Sequence, residues 1–246
     1  MGRRTDRLAK PASLELDGPT MAAMLELASA RVVKHVTSLP SQAMHGTAGA
    51  KRLARALREP MPERGVGFER LLRLLFGRII PASLNTAAPG YLAYIPGGGL
   101  FHSALADLIT SATNRYVGVW QAAPALAAIE QNVVAWCASI VGLPESAGGI
   151  LTTGGSLATL GAVVAARHEK LGVDIAKGAA YGSAETHHSA WKALAIAGIQ
   201  HARVLPTDAT SRLDPGALAA AIADDRARGL TPFLVVANAG TTNTGA

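Results

Sequence analysis

Cysteine is almost absent. Cys137 is the only one among 246 residues, so no disulfide can close within the chain and a four-cysteine zinc site is excluded. Long apolar runs are missing too. None reaches the ~20 residues a membrane-spanning helix needs, and no apolar segment follows the basic start "MGRRTDRLAKPASLELDG" as a secretory signal requires. Aromatic residues make up 4% of the chain, with no aromatic interleaving of basic residues and no finger motif to support nucleic-acid binding. These scarcities point to a cytoplasmic protein with neither membrane nor nucleic acid among its partners.

What is abundant is small and apolar. Hydrophobic residues make up 49% of the chain and glycines number 26, a composition that suits a sizeable buried core. The net charge of +6 is unevenly spread. Residues 1–78 hold 14 of the 23 Lys/Arg and 7 of the 17 Asp/Glu, so the excess belongs to the N-terminal third. There "GAKRLARALRE" reads as a helix with a solvated basic face.

Apolar periodicity predicts helices over residues 20–39, 48–58 and 67–80, with Thr20 as the N-cap of the first and Pro40 and Pro81 as stops. Each has an apolar stripe and none closes a core of its own. "GYLAYIPGGG" breaks the pattern, a helix begins near Leu100, and "AAPALAAIEQNVVAWCASIVGLP" reads as a long helix halted by Gly142 and Pro144. Beyond it, short apolar runs at "ILTTGG", "AAYGS", "HARVLPTD" and "PFLVVANAG" alternate with helical segments, one of them capped by Asp214 with Pro215 in its first turn. Such alternation predicts an α/β domain with a mostly parallel sheet and covering helices. The domains expected are a helical extension over residues 1–85 and the first part of a large α/β domain over residues 86–246.

Ligands of parallel α/β sheets gather at the C-terminal ends of the strands. Three polar groups would meet there: Thr153-Gly154-Gly155-Ser156, Glu185-Thr186-His187-His188-Ser189, and Gly240-Thr241-Thr242. The first is either an ordinary turn or an anion seat, since glycines admit close approach and a helix start offers unpaired amides. It is neither a Walker loop nor a Gly-x-Gly-x-x-Gly fingerprint. The adjacent histidines have no carboxylate–histidine spacing of the zinc-protease kind, and neighbouring side chains on a strand point apart, so no metal is expected.

Together, "TTGGSLATL", "YGSAETHHSAWKALAIAGI" and "PFLVVANAGTTNTGA" resemble the group II pyridoxal-phosphate-dependent decarboxylases, the family of aromatic-amino-acid, glutamate and cysteine-sulfinate decarboxylases. "GYLAYIPGGG" and "AAPALAAIE" fall in the family's order, and the resemblance covers residues 11–246, most weakly at the start. It implies the large domain of a fold-type-I pyridoxal-phosphate enzyme, pyridoxal 5'-phosphate as cofactor, decarboxylation of an L-amino acid, and a homodimer in which the N-terminal helices wrap the partner. Gly154, Gly155 and Ser156 would bind the cofactor phosphate. His187 would stack on the ring and serve in proton transfer, Thr242 would contact the cofactor, and Tyr94 and Pro96 would line the substrate pocket.

Two positions depart from the family pattern. Leu157 stands where an acidic or polar residue is common, and Gly97 where aromatic-substrate members often have threonine. The family's ring-nitrogen aspartate and Schiff-base lysine would follow Ala246, and Lys170, Lys177 and Lys192 match neither position. The resemblance therefore implies that this chain by itself is inactive. Rival readings are a lyase for phosphorylated sphingoid-type amines or a transaminase on the same cofactor, a non-catalytic remnant of the fold, and a generic nucleotide-binding α/β domain.

Overall fold

The computed structural model describes residues 15–92, 94 and 97–246. It consists of two compact units, residues 1–104 and 105–246. No helix among the described residues is long and apolar enough to cross a membrane.

In the first unit, α1 (Gly18–Ser38) opens one turn earlier than the periodicity predicts. The cap is Asp17 rather than Thr20: its carboxylate accepts the Thr20 amide at 2.8 Å, and Pro19 occupies the first turn, where its missing N–H costs nothing. α2 (Ala50–Ala56) and α3 (Phe68–Leu74) follow, and α3 runs into a π-helical turn at Leu75–Ile79. Little is buried here. α1 buries no residue fully, and Met21, Leu25, Val33 and Val36 are all more than 40% exposed. The stripe predicted to need covering is uncovered within this unit. A final helix, α4 (Phe101–Thr113), crosses the boundary between the units.

The second unit contains α5 (Pro124–Ile140), α6 (Gly155–Leu171), β1 (Gly178–Ser183), α7 (His188–Ile196), β2 (His201–Leu205), α8 (Pro215–Ala227) and β3 (Thr231–Val235). All strand pairs are parallel, in the order β2-β1-β3. β1 is therefore central and buried along its whole length, which explains its run of small residues without polar alternation. One face packs Ala180 against Val163 of α6 and Ala193 and Leu194 of α7. The other packs Ala179, Tyr181 and Leu205 against Leu218, Ala221 and Ile222 of α8. The two crossovers run in opposite directions across β1, so a shared hand puts their helices on opposite faces. A fully buried Leu194 contributes about 1.5–3 kcal/mol through its removal from water.

Two local features differ from the sequence reading. The apolar run at Ile150 is not a strand, and Ile150 and Leu151 are 76% and 59% exposed. Among the described residues no strand pairs with it, and the Leu151 amide turns instead to the Glu130 carboxylate at 3.4 Å. In β3, Pro232 cannot donate to a ladder, and the register slips beside it, leaving Phe233 as the extra residue between Ala179↔Pro232 and Ala180↔Leu234.

α8 is tied to the sheet by a buried ion network. The Tyr181 hydroxyl donates to Asp225 at 2.8 Å, and the Arg203 guanidinium grips both Asp225 oxygens and reaches Asp224 at 3.1 Å. Arg203 hydrogen bonds outweigh the opposing effect of burial and, with the Tyr181 hydroxyl, hold the Asp225 carboxyl below the ordinary carboxylate range. A depressed folded-state pKa gives stability that is present above the unfolded value of ~3.9 and lost as the pH falls below it. Asp225→Asn should therefore lower the unfolding free energy at pH 7 by about 3 kcal/mol in urea titrations, because it leaves Arg203 without its buried partner. The wild type should weaken below about pH 4, and the variant should do so less steeply.

Candidate active site

The start of α6 is open. Gly154 has φ +152° and ψ 165°, a conformation essentially reserved for glycine, and it provides no side-chain cap. The Leu157 and Ala158 amides both return to the Gly154 carbonyl at 3.1 Å. The amides of Gly155 and Ser156 are left without an acceptor among the described residues. A Cβ placed on Gly155 would meet nothing within 4 Å, so packing within the chain does not demand glycine there. Thr152 and Thr159 brace the turn by donating to the carbonyls of Gly154 and Gly155 at 3.0 and 2.8 Å. Two free amides, a 17-residue helix directing its positive end outward, and a neighbouring Ser156 hydroxyl fit a phosphate.

The second polar group forms the β1–α7 corner. Thr186, 6% exposed, accepts the Ser183 amide at 3.0 Å through Oγ1 and lies 3.1 Å from Asn238 Oδ1, to which its hydroxyl donates. This last bond spans 52 positions and joins the ends of β1 and β3. Gly182 makes the corner possible: a Cβ there would stand 2.8 Å from the Trp191 ring and 3.0 Å from Thr186 Oγ1. Because chain order reverses at β1, the crevice at the β1 and β3 ends is a topological switch point.

His187 is the N-cap of α7. Its Nδ1 receives the Ser189 amide at 3.3 Å and lies 2.8 Å from Ser189 Oγ. With Nδ1 accepting, the neutral ring has its proton on Nε2. The expectation that the two histidines point apart is corrected. His187 caps a helix instead of lying on a strand, and the His187 and His188 rings lie 4.2 Å apart at 40°. Among the described residues no cluster of three or more His, Cys, Asp or Glu could hold a metal.

The third group folds back as a turn. The Gly240 and Thr241 amides donate to the Ala246 carbonyl at 3.1 and 2.8 Å, and Asn243 donates to Glu185 at 3.3 Å. Thr242 is exposed, and the buried threonine is Thr241, whose hydroxyl lies 2.7 Å from that of Thr244. Hydrogen bonds thus unite the second and third groups; none among the described residues joins them to the first. Both regions are coupled through packing, because α6 and α7 share one apolar cluster. Tyr94 belongs to the other unit, 79% exposed with φ +60°, unusual for an aromatic residue. Pro96 lies outside the described residues.

Sequence reasoning missed Ser183 and Asn238, and within the Gly240-Thr241-Thr242 group it gave a role to Thr242 and none to the buried Thr241. The available signal was a buried-strand pattern ending in a hydroxyl or amide residue, which at a switch point marks the site wall.

Residues 53–246 match the pyridoxal-dependent decarboxylase conserved domain. The chain is 34% identical over 236 residues to an aromatic-L-amino-acid decarboxylase of Bacillus atrophaeus, covering 95% of this chain and 49% of that one. It is 32% identical to tyrosine decarboxylase 2 of Narcissus pseudonarcissus, over 77% of this chain and 41% of the relative. The structure of Oryza sativa TDC with PLP and tryptamine superposes with a TM-score of 0.86 at 28% identity, over 96% of this chain and 52% of that one. The chain spans about half the length of these relatives. With that domain matched over most of its length and a relative 34% identical over 95% of it, this chain belongs to the pyridoxal-dependent decarboxylase family.

Proposed function

We propose that the complete protein is a pyridoxal-phosphate-dependent carboxy-lyase that converts an L-amino acid to its amine and carbon dioxide. The observation that carries this reading is the pair of unclaimed amides at Gly155 and Ser156, beside a glycine whose side-chain space is empty. Aromatic L-amino acids are the substrate class we favour, since the aromatic-L-amino-acid and tyrosine decarboxylases are among the relatives.

When bound, pyridoxal phosphate supplies a sink for the electron pair left behind as the carboxylate departs. The protein's residues orient and stabilise. Gly154 sets the backbone turn, and the Gly155 and Ser156 amides bind phosphate with the positive end of α6 behind them. His187, its Nδ1 engaged by Ser189, would lie against the cofactor ring, with Nε2 free to take part in proton transfer. Thr242 contacts the cofactor. Residues 1–85 act as a helical extension wrapping a second copy in a homodimer, and residues 86–246 begin the cofactor-binding domain. The uncovered stripe of α1 supports that arrangement. The site of action is the cytoplasm.

Gly155→Asp should weaken pyridoxal phosphate binding about 10- to 100-fold, equivalent to ~1.4–2.8 kcal/mol, in absorbance titrations. Its unfolding midpoint should stay near that of the wild type, because space around the new side chain is free. Unchanged affinity would remove the phosphate from this helix. With carboxyl-labelled aromatic L-amino acids, the complete protein should release labelled carbon dioxide, and His187→Gln should lower kcat by about 10²–10⁴-fold. Label retained in a keto acid would indicate a transaminase, and no turnover of any amino acid a non-catalytic fold.

A further inference from the structure

A hollow lined by cations lies entirely within the first unit. The C-terminal half of α1, the residues after it, and the α3–π-turn segment border an open hollow of about 490 Å³, a volume in the range of small-molecule sites. Arg31, Lys34 and Arg73 line it, and no carboxylate does. Among the described residues Arg31 and Lys34 form no ion pair, and Arg73 has only its i,i+4 partner Glu69, more than half exposed like itself. Such a pair is worth a few tenths of a kcal/mol and yields readily to a stronger anion. Arg31 and Lys34 are three residues apart on one helix face, where like charges repel.

The floor beneath these cations is fixed. The Gln42 side-chain amide donates to Ser38 Oγ at 2.7 Å and to the His35 carbonyl at 3.1 Å, and its oxygen accepts from Asn85 at 2.9 Å. It also lies 3.4 Å from His35 Nδ1. The His35 ring meets Phe76 edge-on, with centroids 6.1 Å apart. Phe76 belongs to the π-helical turn, a distortion frequent at functional sites.

We propose that this hollow binds a phosphorylated small molecule. Three cations call for at least two negative charges, guanidinium forks match phosphate oxygens in bidentate fashion, and Phe76 offers an apolar wall for the body of the ligand. The seat at α6 plays no part in this site, whose residues all belong to 1–104.

The test is calorimetric titration of inorganic tripolyphosphate into the complete protein, preloaded with pyridoxal phosphate, at 0.15 M salt. Saturable binding of one ion per chain is expected. The double variant R31Q/K34Q should weaken it at least tenfold, while K51Q/R55Q, which removes equal charge from α2, should leave it unchanged. No saturable binding, or equal weakening by both double variants, would overturn the proposal. Binding that survives R31Q/K34Q would overturn it as well and would instead locate the ion elsewhere. Because the readout is binding and not turnover, its failure would leave the decarboxylase reading untouched.

Discussion

Helix α6 begins without a cap, and the chemistry proposed here depends on that omission. A helix leaves its first amides unpaired, and proteins ordinarily satisfy them with a Ser, Thr, Asp or Asn side chain. α1 and α8 do so through Asp17 and Asp214. α6 has Gly154 instead, in a backbone conformation that other residues avoid, followed by a Gly155 with vacant space around it. The buried Val163 and Leu171 of α6 pack with Leu194 of α7 and Ala180 of β1, so the exposed amides stand on a rigid support. A dianion meeting them gains two charge-assisted hydrogen bonds and the helix dipole without rearranging the protein.

The β1–α7 corner is built by different means. β1 ends in a corner that only glycine at 182 permits, and Thr186 and Asn238 bridge the β1 and β3 ends. His187 is held by the amide and hydroxyl of Ser189, so its ring is oriented before any ligand arrives. Preorganisation of this kind is how a protein contributes to a reaction whose electronic demands fall on a cofactor. Farther from the site, the Tyr181–Asp225–Arg203 network locks α8 to the central strand, keeping β1 and β2 in register beneath the corner.

Much of this was legible from sequence because it is local. Asp214 and Pro215 announced α8, Gly142 ended α5 in a left-handed conformation, and the glycine-hydroxyl cluster marked the start of α6. What was hidden is non-local or depends on competition. Thr186–Asn238 spans 52 positions and Tyr181–Asp225 spans 44, so no window of sequence displays either pair. Thr20 lost the cap to Asp17 because both suit the role and Pro19 favours the first turn. The run at Ile150 has strand composition yet pairs with no described strand, since composition describes a surface to be buried and not the neighbour that buries it. The histidine pair was misread by assigning strand geometry to a helix cap.

A crystal structure of the complete protein with pyridoxal phosphate bound is the most direct measurement. Phosphate oxygens within hydrogen-bonding distance of the Gly155 and Ser156 amides, with the pyridine ring against the His187 imidazole, are the predicted result. A phosphate held by any other element, or a ring that leaves His187 untouched, would contradict it.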